Sequence, residues 1–428
     1  MAFDFDELNQ RREARRKEKA QLDKNRKLLR IGFIITGITL VICAATLLTA
    51  YGLLRPQDPN DGSMQVTNPP TTQAPTEPPA PDTVIHLVAG GDINVTDQTM
   101  IKDQNGSPRD FSDVFLDIAP ILASGDLTFA NFEGNLVGAP YGTDSKSAPA
   151  TLMTALQGAG MDLIQTANSY AVYNGLAGLQ QTLTGIRDAG MIPLGTYASA
   201  AEFQNSGGFV ILEIQGIRIA FVAFTKGMDG MGLPAGSEDC VNLLYKDFSS
   251  TYQNVDTDGI KSLLKSVSRY DPDLTVALLH WGSENNDQIS KTQNKIRSTM
   301  LEAGVDAIIG THSHNVQKVD FNAEAGTLVA YSLGDLLSSG TRGGADFSVL
   351  LDLEITKDGT TGEVKITGFD YTPIYIANET AAGGTLRVLR IREAMAAYEA
   401  NCVGSVSKET YAAMKAALSK IENRIEGK

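Results

Sequence analysis

The residues of this chain best suited to chemistry are its histidines, since there are four of them and three fall where apolar runs end. His312 and His314 follow the run Ala307-Ile308-Ile309-Gly310-Thr311 with one residue between them, and His280 closes Leu274-Thr275-Val276-Ala277-Leu278-Leu279. Imidazole is the commonest metal-binding side chain. In an open α/β sheet, ligands bind outside the carboxyl ends of the strands. A histidine pair on a loop also has a plain reading as two ordinary polar residues, so the weight rests on what stands at the other strand ends.

Those ends repeat the pattern. Asp92 follows Val84–Ala89, Asn131 and Glu133 follow Leu127–Ala130, Asn168 and Ser169 follow Met161–Thr166, and Glu284 lies just beyond His280. Each has a structural alternative: Asp92 as a helix cap, Glu133 as a solvated turn residue. The recurrence at five strand ends carries the argument. Asp92, Glu133, His280, His312 and His314 are the expected metal ligands, and His280, His312 and Glu284 are the candidates for catalytic roles. A mixed carboxylate and imidazole shell suits Mn, Zn or Fe. A divalent metal so held activates water and supports in-line displacement at phosphorus, or polarises a carbonyl.

Such a site needs strands that end on one side of a sheet. The sequence predicts strands at 84–89, 127–130, 161–166, 274–279, 307–309, 327–331, 347–355 and 363–371, with a hairpin over 209–225 turning at Gln215-Gly216. Helical stretches fall at 178–189, 259–268, 290–303, 388–399 and 408–425. Alternation of strands and helices argues for a layered α/β fold.

The chain begins with a charged tail, 1–30, holding ten Lys/Arg against six Asp/Glu, which leaves +4 there and −18 in the rest of a chain of net charge −14. Residues 31–54 contain no charge and are long enough to cross a bilayer as a helix. No basic residue lies between Arg55 and Lys102, so the positive-inside rule puts the tail in the cytoplasm and the remainder outside the cell membrane. The segment 55–82, rich in Pro and Thr, reads as an extended spacer. A folded domain is expected over 83–380, with a helical extension over 381–428. The acidity of the exported part argues against a nucleic-acid surface. Cys240 and Cys402 stand where a disulfide is permitted, although two separate buried thiols is the preferred reading. Oligomeric state is not legible.

Taken in order, Gly91-Asp92, Asn131-Phe132-Glu133, His280-Trp281-Gly282-Ser283-Glu284, Gly310-Thr311-His312-Ser313-His314 and Tyr331-Ser332-Leu333-Gly334-Asp335 resemble the successive motifs of the CapA family of poly-γ-glutamate capsule synthesis proteins. The resemblance runs from about Val84 to Tyr375. It implies a four-layer α/β sandwich similar to calcineurin-like metallophosphatases, set after a transmembrane helix. It also implies a partner in an envelope polymer or its synthesis machinery. The motif positions Asn131, Asn168 and Trp281 follow the pattern. Ser169 and Tyr170 do not: the family usually has Asn-Asn-His there, with an Asp at the place of Tyr173, and commonly Asn at the place of Asp335. A serine hydroxyl is a poor neutral ligand, and a tyrosine is a poor acid or base near neutral pH. The residues therefore leave three readings open: a metal-dependent hydrolase or transferase of polymer assembly, a phosphoesterase, and a non-catalytic scaffold. No Lys or Arg stands next to the motif residues in the sequence, which weighs against the phosphoesterase.

Overall fold

Period-two burial decides the architecture. Along β1 (Thr83–Asn94), Ile85, Leu87 and Ala89 face one hydrophobic layer while Val88 and Ile93 face another, so the strand is buried on both sides. Strands covered on both faces read as continuous apolar runs, as this one does. In the computed structural model, which describes residues 80–340, 344–379 and 385–427, Pro81 and the residues after it cluster as one compact unit. The tail, the apolar run 31–54 and nearly all of the spacer lie outside the described residues. Among the described residues, no helix is long and apolar enough to cross a membrane.

Two sheets form. In the first, β1 pairs in parallel with β2 (Leu127–Glu133), followed by β3 (Leu163–Gln165) and β4 (Ile192–Leu194). The second has β5 (Phe209–Ile214) antiparallel to β6 (Ile217–Thr225), then β7 (Leu274–His280) and β8 (Ala307–Thr311) in parallel with β6. β9 (Val319–Asn322) and β10 (Thr327–Ala330) complete its far edge, β10 running parallel to β8. β11 (Asp335–Leu337) returns to the first sheet beside the end of β1. β12 (Phe347–Lys357), β13 (Val364–Asn378) and β14 (Leu386–Arg390) extend that sheet antiparallel on the other side of β1.

The central core joins Leu87, Phe129, Phe221, Val276 and Ile309 from the facing sides of the two sheets. The outer face of the first sheet packs against the helix Thr151–Ala159 through Leu152 and Leu156. The outer face of the second packs against Thr257–Ser268 and Lys291–Glu302 through Ile260, Leu264, Ile296 and Met300. The result is a sandwich of four layers, helix, sheet, sheet, helix. The helices Ile391–Glu399 and Lys408–Ile425 join the central core through Ile391, Met414, Ala417, Ile421 and Ile425.

Three differences from the sequence reading stand out. β1 does not stop at Gly90-Gly91 but continues through a shift in register to Asn94. The stretch 388–399 is not all helix, since Leu386–Arg390 pairs with β13 before the helix starts at Ile391. Cys240 and Cys402 are both free, but only Cys240 is buried, whereas Cys402 is exposed.

Candidate metal centre

Register places the polar residues before any side chain is considered. Asp92 pairs across β1 with Asn131 of β2 and with Asp335 of β11, and Asn94 pairs with Glu133. In the second sheet, His280 stands between Thr225 of β6 and Thr311 of β8. The parallel strands of both sheets end on the same side, so these residues meet across the gap between the sheets.

Two glycines make the approach close enough. A Cβ on Gly91 would lie 1.9 Å from the carbonyl oxygen of Gly334, and its absence lets the Asp92 amide donate to that oxygen at 2.9 Å. A Cβ on Gly310 would lie 2.0 Å from the Tyr331 carbonyl oxygen and 2.4 Å from Trp281 Nε1. Beyond Gly310 the chain turns sharply. His312 has φ 85° and His314 φ 56°, left-handed conformations that non-glycine residues rarely take. Backbone of this kind clusters at functional sites, where it costs on the order of 1–3 kcal/mol per residue.

The side chains converge as a buried cluster. Glu133, His280 and His312 offer ligand atoms within 4.8 Å of one another, and so do Asp92, Glu133 and His314, with Glu133 common to both sets. Asn131 Nδ2 donates to Asp92 Oδ1 at 2.6 Å, and the His312 backbone amide donates to Asp92 Oδ2 at 2.8 Å. Asn168 Nδ2 holds Asn131 in turn, donating to its Oδ1 at 3.2 Å and to the Phe132 carbonyl at 2.6 Å. Ser169 Oγ lies 3.1 Å from His280 Nε2, and the rings of His280 and His312 stand 4.4 Å apart.

Electrostatics follow from burial. Desolvation drives His280 and His312 well below the ordinary imidazole value, and the neighbouring imidazoles and Lys226 push the same way. Both are therefore neutral, the ligating form. Burial alone would also lower His314, but Asp335, Glu133 and Asp92 outweigh it and carry it up to about 10. Burial raises Glu133 well above the carboxylate range and Asp92 to about 6, with His314 drawing both back.

The donor set fits a divalent metal. Both ring nitrogens of His312, together with Glu133 Oε1, are buried without a hydrogen-bond partner. Buried polar atoms left unpaired are costly, and a cation is the partner that suits imidazole nitrogen and carboxylate oxygen together. His314 Nδ1 shares a 2.8 Å hydrogen bond with Asp335 Oδ1, which leaves Nε2 turned toward Glu133 Oε2 at 4.0 Å. A carboxylate behind a histidine is the usual support for a metal ligand.

A pattern for the family described as bacterial capsule synthesis protein PGA_cap matches residues 86–339, more than half of the chain and all of this cluster. The chain belongs to the PGA_cap family. Among its relatives, the capsule biosynthesis protein CapA of Bacillus anthracis is 26% identical over 238 residues, 52% of this chain and 53% of that protein. The match thus spans about half of that relative's length. The PGA biosynthesis protein CapA of Bacillus subtilis (strain 168) is 23% identical over 291 residues, 66% of this chain and 69% of that one. The calcineurin-like phosphoesterase YfkN of Bacillus subtilis overlaps 68% of this chain and 91% of its own, with 15% identity and a TM-score of 0.39. A 5'-nucleotidase of Candida albicans SC5314 overlaps 79% and 57%, with 11% identity and a TM-score of 0.41.

Within this PGA_cap site the remaining motif residues divide. Trp281 is fully buried, stacks on Tyr331 and donates to its carbonyl oxygen at 2.9 Å, so it supports the loop from behind. Glu284 is exposed and lines a pocket beside the cluster rather than joining it. Tyr170 has the Lys146 ammonium 4.5 Å from its ring centroid and packs edge-on against Tyr173.

Asp335, read from the sequence only as a motif position that departs from the usual Asn, orients His314. Two further participants were not singled out from the sequence. Lys226, at the end of β6, lines the pocket with His312, which removes the objection that the site lacks a cation. Arg424, from the last turn of the C-terminal helix, donates to Asp287 at 2.9 Å and Asn315 at 3.3 Å, tying both histidine loops together.

Ser169 provides a direct test of the ligand sphere. Its hydroxyl is within reach of His280 and it borders the pocket, so a longer amide has room. Ser169→Asn alone, with Tyr170 left in place, is expected to tighten metal binding by about tenfold. Titration calorimetry of the two proteins reads this; equal affinities would put position 169 outside coordinating reach.

Proposed function

We propose that this protein is a membrane-anchored, extracytoplasmic component of capsule or envelope polymer synthesis or export, of the poly-γ-glutamate type, whose outer domain is a metal-dependent hydrolase or transferase. Family membership supports the capsule role, and the charge distribution around 31–54 supports an anchor with the tail in the cytoplasm. The single observation that carries the chemistry is the buried pair of ligand sets sharing Glu133, with the nitrogens of His312 unpaired.

Glu133, His280 and His312 would hold one divalent ion, and Asp92, Glu133 and His314 offer a second set. Mn, Zn and Fe suit these donors, among which there is no thiolate. Bound there, the metal supplies Lewis acidity and a water made acidic enough to attack near neutral pH. The chain's own residues do the rest. Asp335 keeps the Nδ1 proton on His314, Asn131 and the His312 amide fix Asp92, and the walls of the sandwich exclude bulk water. The phosphoesterase reading has one observation in its favour, the ammonium of Lys226 in the adjoining pocket.

Titration of the purified full-length chain with Mn²⁺, Zn²⁺ and Fe²⁺ tests the proposal, with His312→Ala as the comparison. Saturable binding by the wild type, weakened in the variant, is expected. Equal and negligible binding by both would remove the metal and leave a non-catalytic scaffold.

A further inference from the structure

A pocket of about 200 Å³ opens beside the cluster, and its lining changes character with depth. Ser169 and His312 are the buried end. Lys226 and Tyr252, half-buried, form the wall, and Asp229 and Glu284, both exposed, stand at the mouth. The order from inside outward is imidazole, ammonium, carboxylate.

Lys226 is held rather than free to wander. Its backbone amide donates to the His280 carbonyl at 2.8 Å, which fixes it beside a ligand-bearing strand. Its Nζ donates to the Gly282 carbonyl at 2.9 Å and sits 4.5 Å from the centre of the Tyr252 ring. An ammonium carries three donors, so protons remain for a ligand. A fixed positive charge in a pocket that ends at the metal cluster suits an oxyanion. The carboxylates at the mouth impose the opposite demand on whatever lies further out, because like charges across a contact are strongly disfavoured.

We infer that this pocket takes a zwitterionic group: an oxyanion seated on Lys226 beside His312, with an ammonium held by Asp229 and Glu284 at the mouth. The inference names a ligand class for the proposed metal site and rests on that reading. The oxyanion is a phosphate or a carboxylate, and a ligand that is anionic throughout is disfavoured at the rim. Lys226 would then set affinity for the anionic end, and the two acids would set the preference for the cationic one.

Calorimetry on the metal-loaded full-length chain separates these roles, using phosphoethanolamine, propyl phosphate and β-alanine as probes. The wild type should bind phosphoethanolamine or β-alanine, and phosphoethanolamine more tightly than propyl phosphate. Lys226→Met should weaken the probes by about tenfold, the worth of one charge-assisted hydrogen bond, while metal affinity does not fall, since the lost ammonium repels a cation at His280 and His312. Lys226→Arg should restore most of the loss. Asp229→Asn combined with Glu284→Gln should abolish the preference for phosphoethanolamine over propyl phosphate. Binding of β-alanine but not of the phosphates would make the oxyanion a carboxylate and support the zwitterion. Metal binding without probe binding, or probe affinities unmoved in Lys226→Met, would overturn the inference while leaving the metal reading intact. Failure of the wild type to bind metal would overturn both.

Discussion

Replacing His312 by glycine is expected to cost the site its metal and to make the metal-free protein more stable. The two effects have separate origins. His312 belongs to the set with Glu133 and His280, and removing a ligand should weaken metal binding by at least the roughly 10–100-fold measured for outer-shell partners. Stability moves the other way because His312 is held at φ 85° with both ring nitrogens buried and unpaired. Glycine takes positive φ readily, and its arrival removes two polar atoms that burial penalises. Contact with the His280 ring, 4.4 Å away, is lost and offsets part of the gain. A net gain of about 1 kcal/mol, or about 1.4 °C in melting temperature, is expected for the metal-free form. With metal present the order reverses, because the wild type alone gains the free energy of binding. Thermal melts of both proteins with a chelator and with excess metal check the crossover. A glycine variant that melts many degrees lower under chelator would mean that His312 is a packing residue.

How much of this site the sequence displayed depended on whether a residue's placement is local. His280 and His312 were legible because an apolar run ends immediately before each, and a strand that delivers its last residue to the sheet edge needs no further information. Asp92 was legible as a strand-end residue although the strand was ended too early. Gly90-Gly91 reads as a stop, yet the space beside Gly334 lets β1 continue past β11. Lys226 was hidden because nothing near it in sequence is chemical. It becomes a neighbour of His280 only when β6 and β7 pair with Thr225 opposite His280. Arg424 lies more than a hundred residues from the loops it ties. Tyr170, read from the sequence as a departure from the motif, illustrates a further limit of position: adjacent residues of a loop find different neighbours, Ser169 lying within reach of His280 while Tyr170 packs on Lys146 and Tyr173. The start of the 388–399 stretch misled for the same non-local reason, since pairing with β13 overrides the helical pattern of its first residues.

Gly310→Ala should destabilise the fold more than any substitution of a metal ligand, although it adds one methyl group. Gly310 lies in β8, two residues before His312, and its constraint is space rather than dihedral angle. The added Cβ would lie 2.0 Å from the Tyr331 carbonyl oxygen and 2.4 Å from Trp281 Nε1. Neither atom can withdraw cheaply. Trp281 Nε1 donates to that same carbonyl at 2.9 Å, Trp281 is fully buried, and its ring stacks on Tyr331. Opening the contact breaks the hydrogen bond and pushes apart β8 and the residues that follow β10, strands buried within the core. Overpacking of this sort costs typically 1–3 kcal/mol and occasionally more; with backbone as the obstacle, at least about 3 kcal/mol is expected. For a domain of this size that corresponds to a fall in melting temperature of about 4 °C or more. Metal cannot fully rescue it, because displacing Gly310 also displaces the turn that aims His312 and His314. The comparison with His312→Gly is the sharper reading: under chelator the two substitutions, two residues apart, should shift the melting temperature in opposite directions. An alanine at 310 tolerated within about 1 kcal/mol, the range of an average substitution, would show that β8 and Tyr331 stand further apart than the fold described here requires.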